Sequence, residues 1–125
     1  KPDLNLSSSQ ELRLRLRWAA ILYGRIKADM AITGGVHTAQ DVIKAMMAGA
    51  KVAMTTSAIL RHGIDYIGLM LNGVKAWMQE KEYASISQMQ GTLSQVKCAE
   101  PAAFERANYM KILTNYIPEL PRPVV

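Results

Sequence analysis

KADMAITGGVHTAQDVIKAMMAGAKVAMTTSAILRHG, residues 27–63, is the stretch whose reading decides the fold. It opens with a short apolar run, Ala28, Met30, Ala31 and Ile32, that stops at Thr33 before the pair Gly34 and Gly35. Adjacent glycines let a chain turn through positive φ and leave no Cβ between backbone amides and a neighbouring group. Thr38 with Asp41 three residues later has the pattern of a helix-opening capping box. Val42, Ile43, Met46 and Met47 then recur at helical spacing, and Gly49 stands where a C′ glycine ends a helix. A second apolar run, Val52, Ala53 and Met54, leads into the small-residue turn Thr55–Thr56–Ser57–Ala58, a brief helix to His62, and a stop at Gly63.

Two strands joined by one helix form a right-handed βαβ unit over residues 28–63, with both turns opening at the same carboxyl edge of the sheet. One ligand can then touch both turns. The first amides of a helix lack internal partners and sit at its positive end, so an anion there gains roughly 0.3–1 kcal/mol before hydrogen bonds are counted. In (β/α)8 barrels the frequent phosphate site uses the loops after strands 7 and 8 and a short extra helix, three parts that this stretch contains. A lone glycine pair is more often plain turn punctuation than a ligand site. With the second small-residue turn and the short helix beside it, the two readings stand level on spacing alone.

TGGVHTAQDVIKAMMAGAKVAMTTSAILRHG resembles the end of the barrel in class 1 dihydroorotate dehydrogenases and their dihydroorotate dehydrogenase-like relatives. In that family a GG turn follows the seventh strand, a helix ends in an AGA-like step, and a GTA or TSA turn follows the eighth. The chain continues in the same manner, with a helix through Lys75-Ala76-Trp77-Met78 and the segment Glu82-Tyr83-Ala84-Ser85-Ile86-Ser87-Gln88-Met89-Gln90-Gly91. The likeness runs over residues 8–91. It is carried most specifically by Leu60-Arg61-His62-Gly63 and the tail after Trp77, because other phosphate-binding barrels also use GG turns.

The resemblance implies an FMN-dependent oxidoreductase, with the FMN phosphate held by backbone amides of the two turns. Carried over by position, Gly34 and Gly35 match the first turn, and Thr56 and Ser57 match the second, where relatives often have Gly-Thr. A Thr56 side chain could crowd the phosphate unless only its main chain is used. The favoured reaction is dihydroorotate to orotate in pyrimidine biosynthesis. The family's catalytic cysteine or serine follows the fourth strand, and the ring- and substrate-binding groups also lie earlier, so no catalytic residue is assigned in this row. Two alternatives stay open: another phosphate-binding barrel, such as a dihydropyrimidine dehydrogenase relative or a non-redox enzyme, and a non-catalytic fragment or interaction module.

The expected fold class is therefore α/β, the C-terminal part of a (β/α)8 TIM barrel with a helical appendix. Residues 1–91 form the barrel portion, and residues 92–125 form a connector, a terminal helix and a proline-rich tail. A barrel takes roughly 250 residues, whereas this row has 125 and starts at Lys1, which reads as a partial chain. Half of the residues are hydrophobic and a fifth charged. No apolar run is long enough to span a bilayer, and KPDLNLSSS lacks the apolar region of a signal peptide. A lone Cys98 provides neither a disulfide framework nor metal spacing, which suits a cytoplasmic protein. The edges that two strands leave open favour association, including into a homo-oligomer.

Outside the central stretch, Lys1–Ser9 reads as a linker, and Ser8 with Glu11 as a capping box opening a helix to Tyr23, ended by Gly24. LRLRLRW alternates like a strand, but the cap, the length and the Glu11–Arg15 spacing favour helix. Arg13, Arg15 and Arg17 add to a net charge of +5. They scatter around the helix without aromatic interleaving, so nucleic acid is not an expected partner. From Ile64 onward Ile67, Met70, Leu71, Val74, Trp77 and Met78 mark the apolar stripe of a long helix, in which Gly68 and Gly73 each cost up to about 1 kcal/mol. His37 and His62 are expected to face solvent or cap helices, and Asp41 and Asp65 to cap helix N-termini. Pro101 opens a last helix, Ala102 to Thr114, packing through Phe104, Ala107, Tyr109, Ile112 and Leu113, before the extended end PELPRPVV.

Overall fold

The computed structural model describes residues 3–104. Two short parallel strands, β1 (Ala31–Thr33) and β2 (Val52–Met54), pair in the register Ala31↔Val52, Ile32↔Ala53 and Thr33↔Met54. Helix α2 (Ala39–Ala48) connects them. The described residues are thus α/β, mostly helical, around a two-stranded parallel sheet. Ile32 is buried and Ala53 half-buried toward the helices, whereas Ala31, Thr33, Val52 and Met54 on the alternate face are exposed. That alternation is the two-residue period of a sheet covered on one side.

Helix α2 is the centre of the packing, and its ends explain its length. Thr38 is extended, and its Oγ1 accepts the Asp41 amide at 3.3 Å. Asp41 Oδ2 in return accepts the amides of Thr38 (3.0 Å) and His37 (3.1 Å) and the Thr38 hydroxyl (2.9 Å). At the other end Gly49 takes a φ of 114°, and the Ala50 amide donates back to the Ala45 carbonyl at 3.0 Å, a six-residue closure that terminates the helix. Between the caps Ile43, Ala45, Met46 and Ala48 are buried, with Val42 and Met47 packed at the margin of the core.

Ahead of the sheet, a 3-10 turn (Ser9–Glu11) runs into α1 (Leu12–Leu22), and the Ser8–Glu11 capping box is present. The LRLRLRW run is helical: Leu12, Ala19 and Ala20 are buried, while Leu14 and Trp18 are exposed on the opposite face. Tyr23 leaves the helix and lays its ring between two glycines. A Cβ on either Gly49 or Gly91 would collide with that ring.

After β2 come α3 (Ser57–His62) and α4 (Tyr66–Glu80), which packs along α2. A Cβ on Gly73 would lie 2.7 Å from that of Ala39, so this glycine sets how closely α4 approaches α2. At Gly68 a Cβ meets nothing within 4 Å, and only the propensity cost remains. The buried strip of α4 is narrower than its apolar pattern: Met70 and Val74 are buried and Trp77 and Met78 half-buried, but Ile67 and Leu71 are exposed. Among the described residues α4 packs mainly on α2 and α3, which cover only part of its circumference.

Tyr83 stacks on Trp77 with ring centroids 5.6 Å apart, and Ser85 caps α5 (Ile86–Met89). The chain then returns to α2 through Gly91 N to the Met46 carbonyl (3.1 Å) and Leu93 N to the Met47 carbonyl (2.9 Å). The stretch read as a polar connector is therefore docked at its start, with Ser94 and Gln95 buried and Arg25 donating to Gln95 Oε1 at 2.8 Å. Residues 101–104 are helical and Phe104 packs against the core margin. Ala107, Tyr109, Ile112, Leu113 and PELPRPVV lie outside the described residues.

Candidate anion-binding cradle

Both turns at the carboxyl edge come together as their spacing predicts, and they meet on a serine. Gly34 and Gly35 turn the chain out of β1 with φ of 80° and 84°. The Gly35 amide donates to Ser7 Oγ at 3.2 Å. From the other turn, Ser57 Oγ accepts both the Ser7 amide (3.0 Å) and the Ser7 hydroxyl (2.9 Å). Ser7 Oγ also lies 3.4 Å from His37 Nε2, and the Ser7 carbonyl accepts Arg61 Nη2 at 3.4 Å. Thr55 Oγ1 ties the turns together by donating to the Val36 carbonyl at 2.7 Å.

Gly34, Gly35 and Ser57 thus share one site, whereas Thr56 stands exposed at its rim and caps no amide with its side chain. The glycines are required for reasons their spacing does not reveal. A Cβ on Gly35 would come 2.6 Å from the Leu12 amide nitrogen and 3.0 Å from the Ser8 carbonyl oxygen. A Cβ on Gly34 would come 2.9 Å from the Arg15 guanidinium carbon. Hence the start of α1 closes over the turn and sets an arginine beside it.

Four readings from the sequence change. Ser7, assigned to a linker, is the hub of the hydrogen bonds. The start of α2, expected to offer free amides, has the amides of His37, Thr38 and Asp41 taken by its own capping contacts and carries the Asp41 carboxylate, which repels a second anion. His37, expected to face solvent or cap a helix, is buried, with its ring toward Ser7. Asp65 precedes α4 in helical conformation and makes no side-chain cap, while Asp41 caps as expected. His62 is exposed and packs on Tyr66, with ring centroids 4.5 Å apart.

Arg15 and Arg61, read from the sequence as a helix-face residue and as part of the family-like ending, were not assigned to the site. The i,i+4 spacing of Glu11 and Arg15 accounts for their 3.4 Å ion pair, yet no sequence signal aims Arg15 at Gly34. Guanidinium groups, an amide and hydroxyls beside the two turns are donor types suited to an oxyanion such as a phosphate. A separate cavity of about 220 Å³ lies at the opposite, amino edge of the strands, lined by Tyr23, Met30, Gly49, Lys51 and Gln90 among others. Among the described residues no group of three His, Cys, Asp or Glu side chains is placed to hold a metal, and no helix is long and apolar enough to cross a membrane.

Comparison with protein-family models, curated protein sequences and solved structures gives no match to this chain.

Proposed function

We propose that this chain supplies the FMN phosphate-binding part of an oxidoreductase of the dihydroorotate dehydrogenase type, with β1 and β2 as the last two strands of a (β/α)8 barrel. The observation that carries the reading is the convergence of the Gly34–Gly35 turn and the Ser57 turn on one point at the carboxyl edge of two parallel strands. The sheet supports the barrel reading: its helices lie on one face, and Val52 and Met54 are about half exposed on the other, as strands lacking neighbours would be.

The donor set fits the phosphate end of FMN. The Gly35 amide, the Ser57 hydroxyl and the guanidinium groups of Arg15 and Arg61 would hold it, with the Gly34 main chain forming the wall. A flavin held there would supply hydride acceptance from a dihydropyrimidine-type substrate such as dihydroorotate. The role of these residues is to fix the phosphate end and thereby the position of the ring; proton abstraction belongs to a base outside this chain.

Because every one of these donors recognises a phosphate and none a ring, a non-redox barrel acting on a phosphorylated substrate is the second reading. Parallel titrations with FMN, riboflavin and glycerol phosphate test both. FMN binding with neither of the others supports the flavin reading. Equal binding of FMN and glycerol phosphate favours the non-redox barrel, and equal binding of FMN and riboflavin removes the cradle from either.

A further inference from the structure

We infer that residues 3–8 are a strap that gates the cradle, the Ser7 hydroxyl holding the place an oxyanion takes; this rests on the phosphate reading above. Two of the phosphate donors, the Gly35 amide and Arg61, are turned on Ser7 and Ser57 is bonded to it, while Arg15 pairs with Glu11. The Gly35 amide points at its Oγ at 3.2 Å, Arg61 reaches its carbonyl at 3.4 Å, and Ser57 accepts its amide and hydroxyl at 3.0 and 2.9 Å. An oxyanion on the Gly35 amide and Ser7 Oγ cannot occupy the same position.

The strap is lightly held elsewhere. Residues 3–8 have no regular secondary structure, Asp3, Leu4 and Asn5 are exposed, and Leu4 keeps 77% of its surface in solvent. Ser8 is secured by its own capping contact to Glu11, which places the hinge at the start of the 3-10 turn. Charge-assisted hydrogen bonds are roughly twice as strong as neutral ones, so an anion outcompetes the serine hydroxyl for the same donors. Once Ser7 leaves, the Ser57 hydroxyl no longer accepts its two bonds and can donate to the anion, and Arg61 is released from the carbonyl. Filling the cradle and freeing the strap are one exchange.

The test is an amide NMR titration of the full chain with inorganic phosphate, on wild type and Ser7→Ala. In wild type the Gly35 and Ser7 amides should shift in step, with residues 3–6 moving toward random-coil positions. Ser7→Ala no longer loses the two hydroxyl contacts on opening and should half-saturate at about fivefold to tenfold lower phosphate. If Gly35 shifts while Ser7 and residues 3–6 stay put, or Ser7→Ala binds no tighter, the gate is overturned and the phosphate cradle stands. If Gly35 moves in neither protein, the phosphate reading falls and the gate with it. Should Ser7→Ala fail to fold, the wild-type shifts decide alone.

Discussion

Replacing each of the paired glycines by alanine separates backbone strain from packing, because the two residues share a φ near 80° but face different neighbours. Placing an L-residue at positive φ costs roughly 1–2 kcal/mol in either case. At Gly34 the added methyl first meets the end of the Arg15 side chain, which can swing away; its 3.4 Å pair with Glu11 is surface-exposed, worth about 0–1 kcal/mol. At Gly35 it meets the Leu12 backbone nitrogen at 2.6 Å and the Ser8 carbonyl at 3.0 Å, so the start of α1 must lift. Leu12, 3% exposed, then loses part of the roughly 1.5–3 kcal/mol that burying such a side chain provides, and the Gly35–Ser7 hydrogen bond, worth about 0.5–1.5 kcal/mol, breaks. Gly35→Ala should therefore be less stable than Gly34→Ala by about 2–3 kcal/mol. Followed by circular dichroism in urea, with a slope of about 1–2 kcal/mol/M, the two midpoints should stand roughly 1–3 M apart. Coincident midpoints, or Gly34→Ala melting first, would refute the claim that contact with α1, rather than the turn conformation, makes Gly35 indispensable.

Tyr23→Ala withdraws the ring held between Gly49 and Gly91 and should destabilise the fold by about 2–4 kcal/mol, short of the full cost of a wholly buried aromatic. Amide exchange is the diagnostic: Gly91 and Leu93, which bond to the end of α2, should lose protection before the centre of α2 does. Thr38→Ala removes the cap on the Asp41 amide and should cost about 1 kcal/mol in the same urea assay, whereas Asp65→Ala, where no side-chain cap exists, should change the midpoint little. Gly34→Val sets a branched side chain against Arg15 at the cradle wall; in a complete FMN-binding background it should lower FMN affinity at least tenfold, and unchanged affinity would count against the cradle.

Local chemistry was legible at most helix ends, where it acts over a few residues, with Asp65 the exception. Thr38 with Asp41, Ser8 with Glu11, and Gly49 after an apolar helix specify helix ends through bonds spanning three to five positions, and all three stand where the pattern places them. The strand cores at Ile32 and Ala53 followed from short apolar runs bounded by turns. The stripe on α4 misled in part, because periodicity shows which side chains can share a face but not how much of that face finds a neighbour. Ile67 and Leu71 remain exposed for that reason.

The sequence by itself determined the order strand, turn, helix, strand, turn, helix, and the glycine and small-residue character of the two turns, since these depend on capping, φ preference and apolar spacing within single elements. Only the tertiary structure decided what the two turns meet. Ser7 is 28 residues from Gly35 and 50 from Ser57, and no local interaction brings those positions together. The helix α1, folded back over β1 by burial of Leu12, Ala19 and Ala20, carries Ser7 and Arg15 to the turns. A polar run that looks like a linker becomes the centre of the site because hydrophobic burial elsewhere fixes where it must lie.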